Sequence, residues 1–175
     1  MSITSGRIRL GRSAAVLAAG AFLVAMMPVT AAKAAGPEQF RFTVPLSITD
    51  TTSCVFPIAV NVVDNVVGRA FFDAQGNLQS VDLEQNITGT ESANGITLPT
   101  SSHFVEFLNF ATGGAKEIGL AIKVQNGGVV IRDAGILVFN PDNTVSFIAG
   151  PHPSFEGDTA ALCAALTYTA GPERE

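Results

Sequence analysis

Apolar and polar residues alternate along most of residues 40–149, and this pattern constrains the fold more than any other feature of the chain. A period of two places successive side chains on opposite faces of a β-strand. Turn-forming segments such as 73–77, 126–128 and 140–143 separate the alternating runs. The clearest run comprises Phe40, Phe42, Val44, Leu46 and Ile48. The sequence therefore predicts an all-β domain.

The spacing of the runs predicts about eight strands with short links. Short links favour antiparallel neighbours, because parallel strands need crossovers of a dozen or more residues. We expect a barrel-like antiparallel meander, with a β-sandwich as the alternative. Asp64-Asn65 is interpreted as a tight connection, and residues 90–99 as a polar loop that contains a turn signal at Asn94-Gly95. Pro45 and Pro57 mark edge strands or bulges. The predicted strands are 40–48, 54–62, 66–73, 78–88, 102–110, 117–125, 129–139 and 145–149.

The pattern changes after the last strand. Residues 150–153 (Gly-Pro-His-Pro) form a stiff loop, and Asp158 occupies the position of a helix N-cap. Leu162 and Leu166 then share one face at a spacing of four. We predict a short helix at about 158–167 that covers one end of the sheet, followed by a polar tail at 171–175.

The first 34 residues have the pattern of a secretory signal peptide. Three arginines precede an apolar run at residues 14–29, and Ala-Lys-Ala at 32–34 gives a small-x-small end. The run is shorter than the about 20 residues that span a bilayer, and Pro28 interrupts it. We predict cleavage before Ala35, a secreted protein without a stable membrane anchor, and one β domain at residues 35–175.

Two cysteines, Cys54 and Cys163, lie in the exported part. An isolated pair outside the cytoplasm is most simply a disulfide. It would close a loop over nearly the whole domain and join the predicted helix to the start of the second strand.

Composition and motifs exclude several classes of function. Residues 35–175 hold six basic and fifteen acidic side chains, a formal charge of −9, which argues against nucleic acid as a partner. Twelve Phe but no Trp and one Tyr favour an apolar core over an exposed sugar-binding platform. Neither the two histidines nor the cysteines have metal-ligand spacing, and no nucleophile elbow, phosphate-binding loop or dinucleotide fingerprint is present. We predict no metal, no cofactor and no catalytic residue.

Three charged residues lie in otherwise apolar strands. Glu106 shares a strand face with Phe104, while Arg69 and Arg132 follow Val67 and Val130 at the same spacing. A charge that faces the interior needs a partner or water. One hypothesis is a polar ligand pocket of Glu106, Arg69 and Arg132 among Phe side chains. The alternative is that these positions face outward.

Several segments of the chain resemble a group of secreted actinobacterial proteins. That group has a Cys-Gly-Phe-Pro-like start, where Val55 replaces the glycine here, and a Gly-Pro-His…Gly-Asp…Leu-Cys-Ala-Ala-Leu end. The resemblance covers most of the mature chain and implies export and the disulfide, but no particular activity. The matching segments are 53–57, 86–90, 132–135, 149–153, 157–158 and 162–166.

Three functions are consistent with these observations. The first is a non-catalytic secreted domain that binds a small apolar ligand inside a barrel, or simply presents a surface. The second is a cofactor-free enzyme of the dirigent or allene-oxide-cyclase barrel type, which would use residues such as Glu106 and Arg69; this is an analogy of fold. The third is an interaction protein, such as a secreted inhibitor, that meets an extracellular protein through residues 90–99 or 150–155. The sequence leaves open whether the protein is an enzyme.

Overall fold

The computed structural model describes residues 36–167, which form one antiparallel sheet of seven strands followed by two short helices. The order of the strands in the sheet is their order along the chain, so each strand pairs with its sequence neighbours. The predicted all-β meander is confirmed. The predicted leader (1–34) and tail (171–175) lie outside the described residues. The strands are β1 (Glu38–Asp50), β2 (Ile58–Phe72), β3 (Leu78–Ala93), β4 (Ile96–Asn109), β5 (Ala115–Gln125), β6 (Val129–Phe139) and β7 (Val145–Ala149).

The sheet is open. Within residues 36–167 the ladders end at β1 and β7, and no pairing joins these two strands. β7 is only five residues long and pairs with the last part of β6 alone. The closed barrel is therefore not formed, and the open sheet fits the sandwich alternative. Pro45, which has no N–H to donate, lies in the edge strand β1 as predicted.

The structure has seven strands instead of eight because Asp64-Asn65 is not a turn. β2 runs straight through both residues, with Asp64 opposite Val44 of β1 and Ile87 of β3. Both neighbouring strands pair with β2 along this stretch, and their ladders outweigh the local turn preference of the two residues. Residues 54–57, predicted to begin the second strand, belong instead to a loop at 51–57. In this loop Asp50 Oδ1 accepts the N–H groups of Thr52 and Ser53 at 2.8 and 3.1 Å.

Residues 90–99 are not a loose loop. β3 and β4 extend through them and meet at a two-residue turn, Asn94-Gly95, with φ of 52° and 78°. Positive φ at both positions is the geometry of a type I′ hairpin, for which Asn-Gly is a preferred pair. The predicted turn at Asn94-Gly95 is confirmed and the predicted polar loop around it is wrong. This segment is therefore an ordered hairpin.

Two helices, α1 (Pro153–Glu156) and α2 (Ala160–Ala165), follow the sheet. The predicted helix corresponds to α2, whose N-cap is Thr159 instead of Asp158. Leu162 and Leu166 are fully buried and belong to one core cluster with Ile58, Val60, Leu98, Val124 and Ile131. α2 thus covers one end of the sheet, as predicted.

The disulfide between Cys54 and Cys163 is present and joins α2 to the loop before β2. Thr159 Oγ1 donates a hydrogen bond of 2.6 Å to the carbonyl of Ser53 beside it. Asn94 Nδ2 donates to the carbonyl of Leu166 at 2.9 Å, so the β3–β4 hairpin also contacts the end of α2. These contacts hold the helix over the core cluster.

Candidate functional site

One face of the sheet encloses a cavity. Its walls come from β1 to β5, so the sheet curves around it. The cavity has a volume of about 100 Å3 and is partly open to solvent. Most of its lining is apolar, including Phe42, Val44, Leu46, Val62, Val66, Leu83, Ile87 and Phe104. Such a lining suits a compact, mainly apolar molecule. For comparison, an engineered apolar cavity of about 150 Å3 takes up benzene.

A polar band crosses this apolar face. Each of four consecutive strands contributes one member of the band: Asp64 from β2, Gln85 from β3, Glu106 from β4 and Glu117 from β5. Glu106 and Glu117 are directly opposite each other in the β4–β5 ladder, and Gln85 Nε2 donates a hydrogen bond of 2.9 Å to Glu106 Oε2. The band therefore brings three carboxyl groups and one amide together inside the cavity.

Glu106 is the most deeply buried member of the band, with 1% of its surface exposed. Its Oε2 accepts the hydrogen bond from Gln85, whereas its Oε1 is buried without a hydrogen-bond partner. An unpaired buried polar atom costs about 1–3 kcal/mol. A ligand group that reached Oε1 would recover that cost.

The carboxyl groups of the band hold their protons unusually tightly. Burial, followed by the nearby charges of Glu117 and Asp64, raises the pKa of Glu106 to about 8. Burial and the charge of Asp133 raise the pKa of Glu117 to about 7, and burial raises that of Asp64 to about 6. Glu106 is therefore mostly protonated at neutral pH, while Glu117 is near its midpoint. Such a pair can donate a hydrogen bond or a proton from one member and accept it at the other.

The basic residues do not balance these acids. Among residues 36–167, no Lys or Arg is buried or lines the cavity. Arg69 and Arg132 are exposed. In register Arg69 lies opposite Asp82 of β3, and Arg132 lies opposite Lys123 of β5. The hypothesis of a shared pocket is therefore wrong for the two arginines, which face outward, whereas Glu106 faces the cavity. The outer face of β2 also carries Val67, so an apolar neighbour does not mark the inner face.

Sequence reasoning missed three members of the band. Asp64 lies between Val62 and Val66 on the apolar face of β2. Gln85 lies between Leu83 and Ile87 on the apolar face of β3. A polar residue at a position where the alternation predicts an apolar one was therefore a usable signal. Glu117 offered no such signal, because the alternation of this strand places Glu117 on the face opposite to the apolar Ile118 and Leu120. The registers of both β4 and β6 shift at Ala121, which marks a bulge. The bulge reverses the alternation of inward-facing and outward-facing residues along β5, so Glu117 faces the cavity.

A second polar cluster ties the C-terminal segment to β6. Asp133, which is buried, accepts the backbone N–H of Ser154 at 3.1 Å and also the Ser154 hydroxyl. The ring of His152 is buried, with Nε2 3.3 Å from the carbonyl oxygen of Ala149. The hydroxyl thus donates to a carboxylate and not to the imidazole, which is not the arrangement of an activated serine. We assign this cluster to anchoring α1.

Across residues 36–167, no group of three or more His, Cys, Asp or Glu side chains is arranged to hold a metal ion. No helix of this segment has the length and hydropathy to cross a bilayer.

No protein-family model, curated protein or solved structure matches the chain. The resemblance to secreted actinobacterial proteins stays a prediction.

Proposed function

We propose that this protein is a secreted β domain that binds a small, mainly apolar molecule in the cavity formed by β1 to β5. One observation carries the proposal. An apolar cavity encloses a buried carboxyl group, that of Glu106, one oxygen of which lacks a hydrogen-bond partner. Ligand sites typically combine apolar walls with a few convergent polar groups that orient the ligand.

Export is part of this proposal. The predicted leader at residues 1–34 is its main support, and a disulfide is compatible with an oxidising compartment outside the cytoplasm. A ligand carried or sensed outside the cell would enter a domain that the disulfide and α2 hold together at one end.

The proposal is tested with cyclohexylmethanol, a compact ring with one hydroxyl group. We expect a saturable titration in ¹H–¹⁵N NMR, with shifts concentrated on the strands that line the cavity. Val62→Phe fills the cavity and should abolish binding. The matched control is Val63→Phe, because Val63 is the next residue of β2 and is exposed on the outer face. Equal binding by both variants would contradict a ligand site in the cavity.

A second function is favoured by the elevated pKa of Glu106. A carboxyl group that stays protonated at pH 7 inside an apolar cavity can act as a general acid, and Glu117 opposite it can accept a proton. This pair supports a cofactor-free enzyme of the dirigent or cyclase type, in which Glu106 protonates an apolar substrate. Turnover of a substrate that is lost in Glu106→Gln, while that variant still binds cyclohexylmethanol, would favour the enzyme over the carrier.

A further inference from the structure

The carboxyl groups of the cavity outnumber the cations that could balance them. Asp64, Glu106 and Glu117 line the cavity, and no basic side chain of residues 36–167 does. Glu106 and Glu117 are opposite each other in the ladder, and Glu106 Oε1 is buried with no hydrogen-bond partner. Two acids side by side in an apolar site repel each other once they ionise, so this arrangement suits a positively charged guest.

We infer that the natural ligand is an apolar amine whose protonated nitrogen binds between Glu106 and Glu117 while its hydrocarbon part fills the apolar cavity. This inference rests on the proposed ligand site and adds the charge of the ligand. The ammonium donates hydrogen bonds to Glu106 Oε1 and to the Glu117 carboxylate. Charge-assisted hydrogen bonds are roughly twice as strong as neutral ones.

The same geometry selects against anions. A fatty acid or another carboxylate would bring a further negative charge to Asp64, Glu106 and Glu117, with no cation in the cavity to receive it. A like charge in such a site is strongly unfavourable. A metal ion is also a poor guest, because these side chains do not form a metal-binding group.

Amine binding must depend on pH, since the cation binds the ionised carboxyl groups. The acidic groups that act on Glu106 are Asp64 on β2 and Glu117 on β5, and Asp133 on β6 acts on Glu117. Glu91 of β3 lines the same cavity but pairs with Leu98, eight residues along β4 from Glu106. Binding an ammonium favours the ionised forms and releases protons. The affinity for an alkyl amine, which keeps its own proton to about pH 10, should rise as the solution becomes more basic.

Three probes with the same ring test the inference: cyclohexylmethylamine, cyclohexylmethanol and cyclohexanecarboxylate, titrated into the oxidised protein by calorimetry. At about pH 8.5 we expect the amine to bind at least about tenfold more tightly than the alcohol, and the carboxylate to bind most weakly. Amine affinity should rise by at least about tenfold between about pH 5.5 and about pH 8.5. Buffers of different ionisation enthalpy should report proton release.

Two cavity variants and one control complete the design. Glu106→Gln should keep alcohol binding and lose the preference for the amine, and Glu117→Gln should weaken that preference in the same direction. Glu84→Gln, on the exposed outer face of β3, should leave all three affinities unchanged. If either cavity variant fails to fold, the other still decides the result.

The outcomes separate the two proposals. Alcohol binding without a preference for the amine overturns the inference and leaves the ligand site standing. An amine preference that survives in both Glu106→Gln and Glu117→Gln also overturns it. Failure of all three probes to bind overturns the ligand site together with the inference.

Discussion

Replacing Glu106 by glutamine should remove much of the pH dependence of stability. The pKa of Glu106 is raised from 4.5 to about 8 in the folded protein, mainly by burial. The folded state therefore binds more protons than the unfolded state across this window, and stability falls as the pH rises through it. At about 1.4 kcal/mol per pKa unit, the ionisation of Glu106 lowers the free energy of unfolding by roughly 4–5 kcal/mol once the pH exceeds about 8.

Glutamine mimics the protonated acid and can still accept the hydrogen bond that Gln85 Nε2 donates to Glu106. We expect Glu106→Gln to match the wild type near pH 5 and to exceed it by several kcal/mol near pH 9. Denaturant unfolding at intervals of one pH unit measures both curves, with Glu84→Gln as the exposed control. Parallel curves for Glu106→Gln and the wild type would refute the assignment of Glu106 as the buried acid.

Three further predictions concern the disulfide, α2 and export. Replacing both Cys54 and Cys163 by serine should lower the free energy of unfolding by about 3–5 kcal/mol, because the bond closes a separation of 109 residues; an unchanged midpoint in denaturant would contradict this. Leu162→Ala should cost about 2–5 kcal/mol, since the side chain is fully buried between α2 and the sheet; a loss in thermal or chemical unfolding below about 1 kcal/mol would show that α2 is not part of the core. Intact-mass measurement of the exported protein should give a chain that begins at Ala35 and lacks two hydrogens, and a retained leader would exclude cleavage there.

Much of the architecture could be predicted from local patterns. Alternation identified the inner face of β1, and Asn94-Gly95 marked a hairpin because both positions need positive φ. Leu162 and Leu166 identified the buried side of α2, and the pair of cysteines indicated where that helix is joined to the sheet. Each of these features is encoded by residues a few positions apart, or by a pairing with a single possible solution.

The candidate site could be predicted only in part. Glu106 was found because it interrupts the apolar phase of β4, and the same signal was available for Asp64 and Gln85. At Asp64 this signal was not used, because the turn preference of Asp64-Asn65 predicted a turn between two strands. Arg69 and Arg132 gave the same local signal as Glu106, and both face outward. A charged residue among apolar neighbours can therefore lie on either face of the sheet, and the sequence of its own strand does not show which.

The sequence by itself determined most of the strand-and-turn pattern, the antiparallel order and the covering helix, because side-chain periodicity and turn geometry act within single strands and hairpins. The tertiary structure decided that the sheet stays open and that a bulge at Ala121 turns Glu117 inward. It also decided that Asp64, Gln85, Glu106 and Glu117 form one band. These outcomes depend on register between strands and on curvature of the whole sheet. Register and curvature are both set by the packing of all strands together, so neither can be predicted from a single segment of the sequence.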